Sequence, residues 1–254
     1  MDPLNAQPAE PRQRWRLVYR RRPDAPALPQ RDQSAAWDAA LISSGLPLAG
    51  LDLAVPRPRI VFAASLTVGM PAERELLDLF LVARRSVTEV RERLAGSLPT
   101  GHELIEVHDV WLGAPALSGQ VVAADYRLNV TTLDGVMPDP ATLAGGVRRL
   151  LAADALPRTR DKGGRAIPYD LRPLVAGIEV QPSIEVQAGD AAPESIPPES
   201  IPPLAVQLRI RTRFDAERGV GRPEEVLAVL SELSGMALTA QSTTRERLFL
   251  AGEE

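Results

Sequence analysis

The sequence predicts an α+β protein of two ferredoxin-like lobes, each a strand-helix-strand-strand-helix-strand unit with a mostly antiparallel sheet and helices on one face. Stretches that alternate apolar and polar residues with period two are interleaved with stretches of helical period, and that order can be traced twice along the chain. A length of 254 residues, 44% hydrophobic and 24% charged, suffices for one large core or two small ones. The divisions that follow are a flexible tail over 1–12, a first lobe over 13–113, and a second lobe over 114–254 with a proline-rich insert at 182–203.

In the first lobe, "WRLVYR" sets Trp15, Leu17 and Tyr19 against Arg16, Val18 and Arg20, the pattern of a strand with one buried face. "DQSAAWDAALISSG" reads as a helix with Asp32 or Ser34 as N-cap, Trp37, Ala40 and Leu41 on one face and Gly45 as its stop. "RIVFAASLTV" and "ELLDLFLV", separated by Gly69, Met70 and Pro71, read as neighbouring strands. Ser86 and Glu89 have capping-box spacing at the head of a helix whose stripe is Val87, Val90, Leu94 and Leu98, and "ELIEVHDVWL" closes the lobe as a strand.

The second lobe opens with the alternating "DYRLNV" and a helix that starts at Asp139 and Pro140 and aligns Leu143, Val147, Leu150 and Leu151. "RTRDKGGRAIPYDLRPL" then reads as a hairpin with "DKGG" at its tip, because an aspartate before two glycines suits a turn with positive φ. A Walker-type phosphate loop would need Gly-Lys-Ser/Thr feeding a helix, whereas here Lys162 precedes the glycines. The prolines of "PESIPPESIPP" forbid a central strand or helix interior. In "LAVQLRIRTRF", Val206, Leu208, Ile210, Thr212 and Phe214 alternate with Gln207, Arg209, Arg211 and Arg213; a helix with Pro223 in its first turn and Gly235 after its end, then "TTRERLFL", complete the lobe.

Composition excludes several chemistries. With no cysteine there are no disulfides, thiolate zinc sites, cysteine nucleophiles or thiolate-held iron–sulfur clusters. No apolar run approaches a membrane span and the N-terminus lacks a signal-peptide stretch, so a cytoplasmic protein is expected. His102 and His108 stand alone as solvated residues, with neither metal nor cofactor expected. Gly-x-Ser-x-Gly and the Rossmann glycine fingerprint are both missing.

A net charge of -4 argues against unselective nucleic-acid binding but leaves local basic faces. Arg12, Arg14, Arg16, Arg20, Arg21 and Arg22 crowd the first strand, and Arg209, Arg211 and Arg213 project from one face of a later one. Each set reads as a solvated face or as a surface for RNA or an acidic partner. Asp170 and Arg172, two apart on an extended segment, could pair with each other, or Asp170 could act as a catalytic base or nucleophile. The two-lobe arrangement is similar in architecture to one class of tRNA pseudouridine synthases, whose catalytic residue is an aspartate, but their Arg-rich aspartate motif has no match here.

Several stretches together, "PRPRIVFAASLTVGMPAERELLDL", "ELIEVHDVWLGAPAL" and "RTRDKGGRAIPYDLRPL", resemble the radical SAM-linked protein family over residues 13–250. That resemblance implies an accessory role beside a radical SAM protein. The family's Ser-His-Leu-Asp stretch is replaced by "DQSAAW", and Arg57 stands where the family has a histidine, whereas Tyr169, Asp170, Leu171, Arg172 and Pro173 match a later motif. The expected function is therefore a non-enzymatic accessory or substrate-presenting module for a radical SAM enzyme, acting on RNA, with Arg209, Arg211, Arg213, Arg16, Arg20, Arg57, Tyr169 and Arg172 as binding residues. The alternative is an RNA-modifying enzyme that uses Asp170.

Overall fold

A computed structural model describes residues 9–161, 163–181 and 205–253. The protein is a mixed α+β chain whose strands are mostly antiparallel, with four α-helices among the described residues. It divides into two compact units, Met1–Val121 with Arg245–Glu254, and Val122–Thr244. No helix among the described residues is long and apolar enough to cross a membrane. The proline-rich insert lies outside the described residues.

The first unit contains β1 (Gln13–Arg21), α1 (Gln30–Ser43), β2 (Ile60–Phe62), β3 (Ala72–Leu81), α2 (Val87–Ala95) and β4 (His102–Val110). Its strands lie in the order β2-β3-β1-β4, each antiparallel to its neighbour. Trp15, Leu17 and Tyr19 of β1 pack with Trp37 and Leu41 of α1 and with Val90 and Leu94 of α2 into one core. The expected single buried face of β1 needs correction: Arg14, Val18 and Arg21 are buried as well. β1 is an inner strand, and its arginines are consumed by partners inside the unit. Arg14 and Arg16 converge on Asp78, while Arg21 donates to the carbonyls of Met70, Ala25 and Pro26.

Local signals place most of these elements. Ser86 caps α2 by accepting from the Glu89 backbone N–H, while the Glu89 carboxylate pairs with Arg85 and Arg93. α1 begins earlier than its polar residues suggest: Pro29 occupies the N-cap, and the Ser34 hydroxyl bonds back to the Gln30 carbonyl. Gly45 ends it at φ 66°. β2 holds only three residues of the longer strand expected, and Ala63 to Pro71 is irregular.

Between α1 and β2 the chain doubles back. Arg57 N–H bonds to the Gly50 carbonyl at 3.0 Å, and Arg59 N–H bonds to the Ala49 carbonyl at 2.8 Å. Gly50 sits at φ 92°, where a Cβ would lie 2.4 Å from the Arg57 carbonyl oxygen. Gly50→Ala is accordingly expected to lower stability by about 1–3 kcal/mol. Urea unfolding that leaves the midpoint unchanged would show that this loop tolerates a side chain.

The second unit runs through β5 (Val121–Thr132), whose first residue still belongs to the first unit, then α3 (Pro140–Ala152), β6 (Pro157–Asp161), β7 (Ala166–Asp170), β8 (Val175–Gln181), β9 (Val206–Asp215), β10 (Gly219–Val220), α4 (Pro223–Ser234) and β11 (Leu238–Leu250). β11 passes from the second unit to the first at Arg245. β9 lies between β5 on one side and β8 and β10 on the other, all antiparallel to it, and β5 also neighbours β11. α3 and α4 pack together closely enough that a Cβ on Gly146 would lie 3.3 Å from that of Ser234. β6 and β7 form the expected hairpin, turning through Gly163 and Gly164 at φ 64° and 79°, and the Asp161 carboxylate accepts from the Gly164 N–H. Lys162 lies outside the described residues.

Candidate nucleic-acid interface

In β9 the sequence alternation becomes a two-sided strand. Val206, Leu208, Ile210 and Thr212 point into the second unit, and Arg209, Arg211 and Arg213 are exposed on the other side. The register sets Arg211 beside Asp125 and Gly177, Arg209 beside Arg127 and Glu179, and Gln207 beside Asn129 and Gln181. Asp125 holds Arg211 through two bonds of 2.6 and 2.8 Å, and Arg213 donates to the Pro173 carbonyl at 3.2 Å. Asn129 donates to the Ser242 hydroxyl on β11. The result is an open sheet face of guanidinium, carboxylate, amide and hydroxyl groups, with a concavity of about 400 Å³ lined by Arg209 and Arg211 together with Asp125 and Glu179. Arg127 was missed because "DYRLNV" carries a single arginine, offset by Asp125 on the same face, and its place opposite Arg209 is set by register.

The remaining candidate residues are dispersed. Arg16 spends its guanidinium on Asp78 at 2.8 and 3.1 Å. Arg20 is half exposed between Glu73 at 3.0 Å and Glu103 at 3.6 Å, and Arg57 pairs with Asp38 at 2.6 Å. In the second unit, Arg172 donates to the Leu151 and Val175 carbonyls, and Asp170 accepts from the Leu156 and Arg172 backbone N–H groups. These two side chains therefore brace the end of the hairpin. Tyr169 lies under the Arg160 guanidinium, 4.0 Å from its ring centre, while Arg160 pairs with Glu225 on α4. Burial, then the nearby Glu225 carboxylate, push the Tyr169 hydroxyl up to about 12. Tyr169, Asp170 and Arg172 share a cleft of about 780 Å³ with Asp154, Glu217 and Arg218.

A second polar groove, about 380 Å³, lies in the first unit. Val18, Leu76 and Leu248 are among its apolar residues, and Arg16, Arg74, Glu106, His108 and Arg247 among its charged or titratable ones. Arg74, then His108, hold the Glu106 carboxyl below its ordinary range. Arginine and carboxylate are thus interleaved in this groove. No group of three or more His, Asp or Glu side chains suited to a metal occurs among the described residues.

His108 is exposed, as expected, whereas His102 is not simply solvated. Its ring meets Tyr19 and Trp37 at 5.8 and 5.5 Å between centres, and its Nδ1 faces the Pro99 and Thr100 carbonyls. Those carbonyls make Nδ1 the protonated nitrogen of the neutral ring, and burial holds its pKa below the ordinary histidine value. The unfolded chain then binds a proton more readily than the folded one. This group's contribution to stability is present above about pH 6.5 and declines as pH falls toward its folded pKa. Urea unfolding at pH 7.5 and 5.5 is expected to show that decline and to show it reduced in His102→Gln; equal slopes in the two proteins would contradict it.

The profile of a family described as an uncharacterized protein conserved in bacteria (DUF2344) matches residues 14–198. The chain belongs to that family. No curated protein matches it in sequence. Among solved structures, a Cbf5-Nop10-Gar1 complex is similar at 11% identity and a TM-score of 0.42, over 93% of this chain and 50% of that chain. An archaeal box H/ACA sRNP Nop10-Cbf5 complex is similar at 8% identity and a TM-score of 0.38, over 91% and 47%. The chain spans about half the length of those solved chains. A likeness this distant carries nothing about site or substrate.

Proposed function

We propose that this member of the family is a non-enzymatic RNA-binding module, cytoplasmic, that presents its ligand to a radical SAM enzyme. Its two units are read as ferredoxin-like lobes, with β5, β8, β9 and β11 framing the second and the β6–β7 hairpin inserted between α3 and β8. The observation that carries the RNA reading is the exposed row Arg209, Arg211 and Arg213 on one face of β9, bordered by Arg127, Gln207 and Asn129. Guanidinium groups match phosphate oxygens in geometry as well as charge, and amides and hydroxyls suit sugar and base edges. Arg211 and Arg213 are already oriented by Asp125 and by the Pro173 carbonyl, so less side-chain freedom is lost on contact.

The radical SAM partner is supported by the resemblance of the "PRPRI", "ELIEVHDVWL" and "YDLRPL" stretches. With no cysteine, this chain has no thiolates to hold an iron–sulfur cluster, which the partner would supply. Anisotropy of a labelled single-stranded RNA titrated with the purified protein tests the binding claim. Saturable binding lost on reversing the three arginines supports it, and no binding at low salt contradicts it.

A further inference from the structure

We propose that Trp111, at the end of β4, is a stacking platform for an unpaired base of a single-stranded nucleic acid. This rests on the RNA reading for its ligand class but concerns a different surface, in the first unit. Trp111 is 78% exposed and is followed by Leu112, 40% exposed. Trp15 and Trp37, the other two tryptophans, are buried at 3% and 0%. A large aromatic side chain left in water beside a second apolar one has a cost that a binding role explains.

The turn that carries it is held from beneath. Arg14, itself bound to Asp78, donates to the Ala114 carbonyl at 2.7 Å and to the Pro115 carbonyl at 2.9 Å, and Gln120 adds a bond of 2.7 Å to Pro115. Ala114 N–H closes the turn onto the Trp111 carbonyl at 3.0 Å. The benzo half of the indole lies over Gly113, where an added Cβ would be 2.7 Å from Cζ2. Trp111 is thus an exposed ring on a fixed base, which a stacking partner meets with little ordering to do.

Charge at the same end of the sheet selects a nucleic acid. Val110 pairs with Arg14 and Leu81 with Gln13, so the end of β4, the start of β1 and the end of β3 lie side by side, within about 10 Å of one another. Arg12, whose N–H bonds to the Leu81 carbonyl, and Arg84, three residues past β3, are both exposed. Neither side chain has an ion pair or hydrogen bond among the described residues. Asp109, the nearest carboxylate on β4, is occupied by the Gln13 amide at 3.0 Å. An aromatic face at the sheet edge, with two uncompensated guanidinium groups to one side of it at the ends of the neighbouring strands, suits a base and the phosphates that run on from it.

Because the other two tryptophans are buried, quenchable emission reports on Trp111. Oligouridylate is expected to quench that component, and Trp111→Ala to weaken binding about 5- to 150-fold. Trp111→Phe is expected to abolish the quench yet keep most of the affinity. An unquenched wild type, or Trp111→Ala binding as tightly as wild type, overturns the proposal; if reversal of Arg209, Arg211 and Arg213 still abolishes binding, the RNA reading survives it. Quenching and Trp111-dependent affinity indifferent to that reversal uphold the platform and overturn the β9 interface. Shielding of Trp111 with rising protein concentration, without RNA, overturns it in favour of a contact between copies of the chain.

Discussion

Asp78→Asn is expected to cost about 3–5 kcal/mol of folding stability, far beyond the effect of removing a surface carboxylate. Asp78 is fully buried, and Arg14 has only 2% of its side chain exposed. One carboxylate serves two guanidinium groups: Arg14 Nε reaches Oδ2 at 2.8 Å and Arg16 Nε reaches Oδ1 at 2.8 Å. The asparagine keeps the shape but withdraws the only negative charge from a site holding two positive ones, and its amide nitrogen replaces an acceptor with a donor facing arginine. Glu73→Gln, which removes a half-exposed partner of Arg20, is expected to change stability by under about 1 kcal/mol. Urea unfolding of both variants checks the contrast. Equal, small effects would mean that solvent reaches Asp78 and relieves the arginines.

Combined Arg209→Glu, Arg211→Glu and Arg213→Glu is expected to weaken RNA binding by about 100-fold or more, taking each lost phosphate contact at about 1 kcal/mol and adding repulsion from the new carboxylates. Folding should survive. Leu208, Ile210 and Thr212 keep their places on the inner face, and the reversed side chains all project outward. Reversal at 211 sets a glutamate beside Asp125, and reversal at 209 sets one beside Arg127 and Glu179, so cross-strand gains and losses partly offset. Circular dichroism and the unfolding midpoint separate a binding defect from a folding one.

The β9 face was legible because a strand with one wet face alternates strictly, and "LRIRTRF" alternates arginine with buried residues. The cap of α2, the Gly45 stop and the hairpin at Asp161 to Gly164 were legible for a related reason: each depends on residues a few positions apart. β1 carries an equally clear alternation, yet its polar face is partly buried, because Asp78, 62 residues from Arg16, arrives on the neighbouring strand. β8, "VAGIEVQ", has no assignment from sequence, since glycine and a short apolar run fit several conformations; its pairing with β9 is what makes it a strand. Asp170 and Arg172 do not share an extended segment as their spacing suggests: β7 ends at Asp170 and a short 3-10 turn begins at Arg172, so the guanidinium turns to the Leu151 and Val175 carbonyls while Asp170 accepts from the Leu156 and Arg172 backbone N–H groups. Trp111 read as strand interior within "EVHDVWL", and only the end of β4 at Val110 puts it in solvent.

The most direct measurement is the salt dependence of single-stranded RNA affinity for the wild-type protein and the triple variant. Each phosphate neutralised contributes about 0.7 to the slope of log affinity against log salt. The account predicts a wild-type affinity that falls steeply with salt, and a variant that is weaker throughout with a slope reduced by about 2. Identical slopes and affinities in two equally folded proteins would contradict it, leaving Arg209, Arg211 and Arg213 as a solvated surface with no part in binding.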